Sequence, residues 1–140
     1  MIEQAVEEIK SVLKMGFPTF QVDDYPEDIK KYTFSSPRGC LLVRYDTSTF
    51  SAPGVTDLIE QTETMEFPIF FSLRYAHSFK DTYGFLTTLK DVLTGLRIGS
   101  GKLYPKKRTY VAKINGDIWW SFLFCLDVKA DQTQNIPSWG

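Results

Sequence analysis

The sequence predicts an α+β fold: a mostly antiparallel sheet with two amphipathic helices packed on one face. Three observations lead there. Ile2, Val6, Ile9 and Leu13 repeat at helical spacing, and so do Leu86, Leu89, Leu93 and Leu96. Apolar and alternating runs between and after them group as hairpins instead of alternating with helices. Asn115-Gly116 joins the last two such runs and is the preferred pair for a two-residue type I′ turn. At 140 residues the chain has room for one domain. We place that domain over residues 1–128 and read 129–140, which loses the apolar pattern, as an extended tail.

Each element has its own local cause. In the first helix, residues 2–15, Glu3, Glu7 and Glu8 come early and Lys10 and Lys14 late, complementing the helix dipole. Gly16 and Pro18 stop it. Residues 19–23 alternate as a short strand. Residues 24–38 are rich in turn formers and charge, with one helical turn starting at Pro26. Residues 39–46 read as a strand buried on much of both faces, 47–56 as a long loop, and 57–63 lean towards strand. Residues 65–77 give the strongest strand, with Phe67, Ile69, Phe71, Leu73 and Tyr75 on one face. Pro68 lacks a donor, so it belongs where the ladder is interrupted. Ser78 to Asp81 form a loose capping box before the second helix, which Gly95 ends. Residues 97–102 read as a flexible connection, and 107–114 and 117–128 as two long strands. The last strand is apolar on nearly every residue, so both of its faces are covered.

Composition excludes several classes. Aromatic residues make up 15 % of the chain, far from a disordered or collagen-like composition. The net charge is −1, which argues against whole-domain attraction to nucleic acid or anionic membrane. The distribution is less even. Residues 1–66 hold 6 basic and 12 acidic side chains, a balance of −6, whereas 67–140 hold 10 and 5, a balance of +5. No run of about 18 apolar residues occurs, so no transmembrane helix is predicted. The acidic start does not read as a secretory signal. Cys40 and Cys125 sit in apolar stretches and read as reduced, buried thiols.

No catalytic or metal motif emerges, so we expect no enzyme activity, cofactor or metal. His77 is the sole histidine and would have to serve any Ser-His-Asp or Cys-His site, but no nucleophile elbow accompanies it. Asp23, Asp24, Glu27 and Asp28 are the densest acidic cluster; Pro26 and the lack of a following glycine break calcium-loop spacing. Gly99-Ser100-Gly101-Lys102 resembles a phosphate loop only superficially, since it runs from helix to strand and Leu103 follows the lysine. Lys102, Lys106, Lys107 and Arg108 admit two readings: solvated protection of a sheet edge, or contact with phosphate or an acidic partner surface, with Tyr104 and Tyr110 nearby. Trp119 and Trp120 point to opposite faces of their strand. Either a partner or second copy buries the outer face, or a second internal layer such as the N-terminal helix does.

The element order is that of a known family. An amphipathic N-terminal helix and a mid-chain strand precede Phe67-Pro68-Ile69-Phe70-Phe71-Ser72-Leu73-Arg74-Tyr75. A helix ending Leu93-Thr94-Gly95-Leu96 follows, then the hairpin from Tyr110 to Trp120. Over roughly residues 1–128 this resembles the tail-terminator proteins of tailed bacteriophages, of the Mu-like prophage type. The resemblance implies a non-enzymatic subunit of a homohexameric ring that caps the tail tube, stops its growth and offers the head-joining surface. The implied partners are other copies of the chain, the tube protein, a connector or stopper protein, the sheath protein where the tail contracts, and DNA passing through the lumen without sequence readout. The resemblance implies no membrane partner. The implied location is the neck region of the virion, with the host cytoplasm during assembly. The family has no short functional motif, so the interface candidates remain those read from the residues: Lys102, Lys106, Lys107, Arg108, Trp119 and Trp120. Two other readings stay open, another head–tail joining or tail-completion ring protein and a small ligand-binding or enzymatic domain using His77 and the Asp23–Asp28 cluster.

Overall fold

Two helices cover one face of a seven-stranded sheet in the computed structural model, which describes residues 1–36, 38–54, 60–74 and 79–130, without the side chains of Phe79 and Asp81. Helix α1 spans Ile2–Gly16 and buries Ala5, Ile9 and Leu13. Helix α2 spans Tyr83–Leu93 and buries Leu86, Leu89 and Leu93. The strands are β1 (Gln21–Asp24), β2 (Gly39–Val43), β3 (Thr47–Phe50), β4 (Thr62–Leu73), β5 (Arg97–Ile98), β6 (Gly101–Ile114) and β7 (Asp117–Lys129). Their order is β1-β2-β4-β7-β6-β5, with β3 also pairing β4. Among the described strands only β1 and β2 run parallel. This is the predicted α+β architecture.

The main core lies between the helices and the sheet. Leu41 and Val43 of β2, Met65, Phe67, Ile69 and Phe71 of β4, and Phe122, Phe124, Leu126 and Val128 of β7 all turn towards the helices. Phe67 faces Phe124 in the β4–β7 register, and both are fully buried. The alternation read from residues 65–73 thus sets the helix-facing side of β4.

Pro68 sits at the interruption its chemistry requires. Its carbonyl accepts the Arg44 N–H at 3.4 Å, on the side of β2 and β3. The ring nitrogen faces the same side, in the gap between Val43↔Ile69 of the β2 ladder and Thr47↔Glu66 of the β3 ladder. The turn at Asn115-Gly116 has positive φ at both residues, 52° and 86°, as a type I′ turn demands.

Three local expectations are corrected. Residues 47–50 form a strand, β3, where a loop was predicted; the β-branched Thr47 and Thr49 and the aromatic Phe50 suit an exposed edge strand. Strand β6 begins at Gly101, not 107, because Leu103 completes the core and pairs with Leu126. Residues 97–102 are a tight β5–β6 hairpin, with Ile98 opposite Gly101, and no flexible connection exists there. Helix α2 starts at Tyr83, after a 3₁₀ turn Phe79–Thr82; the expected capping box lies outside the described residues at Ser78 and the Asp81 side chain. Ser78, Tyr75, residues 55–59 and the tail beyond Ala130 lie outside the described residues.

The second face of the sheet has its own cover. The excursion between β1 and β2 crosses it, and its Tyr25, Ile29, Tyr32 and Phe34 pack with Cys40, Leu42, Phe70, Ile114 and Trp119. Arg74 ties the excursion down by stacking over Phe34 at 4.1 Å and donating to the Phe34 and Ser36 carbonyls. Asn115 Nδ2 at the hairpin tip donates to the Lys30 carbonyl at 2.8 Å.

Both cysteines are fully buried and free. Burial pushes the Cys40 thiol up to about 12 and raises Cys125 as well. Neither thiol should react with a disulfide reagent near pH 8 in the native protein, and both should react once it is unfolded. A thiol that titrates at once in native buffer would contradict this placement.

Candidate functional site

The basic run lies on β6, which is exposed from Lys106 to Val111. Two irregularities shape this strand. Lys106 is an extra residue between Pro105↔Phe124 and Lys107↔Leu123, and Val111 is another between Tyr110↔Trp120 and Ala112↔Trp119. Beyond the short β5 ladder, no strand among the described residues pairs with the outer edge of β6. Proline, bulges and lysines on such an edge oppose further strand pairing. The protective reading of the basic run therefore has physical substance.

The bulge also builds a surface. Lys90 of α2 joins Pro105, Lys106, Lys107 and Arg108 around Phe122 in an open groove of about 320 Å³. Arg108 lies 4.9 Å over the Phe122 ring, a cation–π placement that holds its guanidinium against the groove floor. Lys106 reaches Glu66 at 3.5 Å. Among the described residues no carboxylate pairs with Lys90, Lys107 or Arg108. Such a groove can bind an anionic group or an acidic protein surface.

Of the six interface candidates, Lys106, Lys107 and Arg108 come together there. Lys102 stands apart, exposed and opposite Arg97 in the β5–β6 hairpin. Trp120 is half-buried on the helix side, edge-on to Tyr110 at 6.0 Å. Trp119 is 3 % exposed, edge-on to Tyr32 and Phe34. Its expected role on a partner surface is corrected. The outer face of β7 at Trp119 is covered within the chain by the Tyr25–Phe34 excursion, and α1 lies on the other face. Lys90 was missed by the sequence reading. The available signal was its place next to Leu89, beside the buried stripe of α2.

The acidic cluster does not converge. Asp23 accepts from Tyr32 Oη at 2.7 Å and Gln21 Nε2 at 2.8 Å. Burial and the Asp23 hydrogen bond raise the Tyr32 phenol above its ordinary value. Asp24 meets Lys10 at 3.2 Å, and Asp28 caps the 3₁₀ turn Ile29–Lys31 by accepting from the Lys30 N–H. Among the described residues no three His, Cys, Asp or Glu side chains gather as metal ligands. His77 lies outside the described residues. Further along the second face, Asp127 accepts from Thr64 at 2.7 Å and Tyr104 at 3.0 Å. Burial and that carboxylate push the Tyr104 phenol up to about 12. Among the described residues no helix is long and apolar enough to cross a membrane.

Fold and surface together define an α+β chain whose main described feature is a cationic groove on an open sheet edge. The family model of the Gp37 protein matches residues 9–136. The chain belongs to that family, which is phage-associated. A search of curated proteins finds no match.

Proposed function

We propose that this chain is a structural subunit of a phage tail, a tail terminator that assembles with copies of itself into a ring at the end of the tail tube. In this reading it stops tube growth, presents the surface to which the head is joined, and resides in the neck region of the virion. It works by shape and association, without catalysis or cofactor. Its partners are the tube protein, a connector or stopper protein, the sheath protein in a contractile tail, and the DNA that passes through the ring.

The observation that carries this reading is membership of a phage-associated family over residues 9–136, a stretch that includes most of the tail-terminator-like order of elements. The test is reconstitution with the tube protein of the same phage, imaged by negative stain. Tubes should end in a ring of about six copies and stay short, as a closed cyclic assembly requires. Bare-ended tubes of unlimited length in the presence of the chain would overturn the reading. Rings that bind the head connector but leave tube length unchanged would favour a head–tail joining protein instead.

A further inference from the structure

The charge imbalance between the two halves of the sequence becomes a spatial division in the fold. Helix α1 packs over β1 and β2, and α2 packs towards β6, so both helices belong to one layer. At the β1 end of that layer stand Glu7 of α1 and Asp24 of β1. Lys10 bridges Glu7 at 3.1 Å and Asp24 at 3.2 Å, yet those two carboxylates keep 69 % and 68 % exposure. At the other end of the layer, the α2–β6 groove holds Lys90, Lys107 and Arg108 unpaired among the described residues. The acidic flank and the basic groove therefore occupy opposite lateral ends of one layer of the same subunit.

We infer that the groove between α2 and β6 receives the Glu7–Asp24 flank of a second copy of this chain. This rests on the ring-forming reading above and names the surfaces that would form its seam. A sideways step of one subunit carries an acidic flank towards a basic groove, so the contact is head-to-tail and the joined pair still has one free surface of each kind. Pro105 and the Lys106 bulge oppose a strand-to-strand ladder at this edge, so side chains make the seam. The reciprocal flank and the net charge of −1 favour a second copy over DNA as the occupant.

Charge reversal on each surface tests this. Lys107→Glu/Arg108→Glu and Glu7→Lys/Asp24→Lys are made separately, and each is checked for native circular dichroism. They are compared with the unaltered chain by light scattering and negative stain. Neither variant should form rings alone. An equimolar mixture should form them, because alternating copies restore opposite charge at every seam. If replacing Arg108 unfolds the chain, Lys90→Glu/Lys107→Glu carries the same comparison. Rings that persist in both single variants, or variants that fail to rescue each other, overturn the seam and leave the ring reading standing. Persisting rings that lose DNA retention place the groove in the lumen and also overturn it. Absence of rings from the unaltered chain, with tube protein present, removes the ring reading itself and the seam with it.

Discussion

Gly39→Val should destabilise the protein by about 2–6 kcal/mol, enough to leave much of it unfolded or insoluble. Two costs combine. Gly39 has φ of 147°, a conformation that β-branched residues rarely adopt, and such strain costs about 1–3 kcal/mol. A side chain there would also strike the Ser72 carbonyl oxygen and stand 3.1 Å from the Leu73 Cα and 3.2 Å from the Phe20 ring. Those backbone atoms cannot step aside without opening the β2–β4 ladder, where Gly39 pairs with Leu73, and overpacking of this kind costs about 1–3 kcal/mol. Domain stabilities are themselves only about 5–15 kcal/mol. Urea unfolding checks the size, and Gly39→Ala should shift the midpoint in the same direction by less. An unchanged midpoint in both variants would mean that β2 does not begin under the end of β4.

Trp119→Ala should cost about 3–5 kcal/mol in the isolated chain, the range for truncating a large buried aromatic. The ring is the floor under Phe34 and Tyr32, and its strand pairs there with Ser72 of β4 and Ala112 of β6. Its removal leaves the Tyr25–Phe34 excursion without a base. The near-ultraviolet circular dichroism of the second layer should weaken along with the unfolding midpoint. A Trp119 that served a partner would behave otherwise, with stability unchanged and association lost. The two outcomes separate an internal layer from an intersubunit one.

The elements with strong local causes were legible in the sequence. Asn115-Gly116 could form little except its turn, the alternation from Phe67 to Leu73 fixed the inward face of β4, and the leucines of α2 marked its buried stripe. The apolar run of β7 correctly implied two covered faces. What covers the second face was illegible, because the cover is a 24–38 segment whose turn formers and charges conceal Tyr25, Ile29, Tyr32 and Phe34. They pack without helical or strand periodicity, so no pattern announces them. The candidate site was half legible. The run Lys106–Arg108 is contiguous in sequence, but the groove needs Lys90 from α2 and an extra residue in β6, and bulge positions have no fixed sequence signal.

The place of β7 in the sheet has a consequence for how the chain is made. The strand between β4 and β6, which forms the floor of both layers, leaves the ribosome after every other described strand. Until it arrives, β4 lacks its long neighbour, the inner side chains of α1 and α2 lack half their floor, and Phe34 has no Trp119 to rest on. A nascent chain ending before residue 117 therefore carries greasy, unpaired strand edges, the species on which premature clumping starts. Folding of the sheet must wait for β7 to emerge and then close distant pairings together, which makes it slow. The early segments await the β6–β7 hairpin, whose tip fastens to Lys30, 85 positions back along the chain.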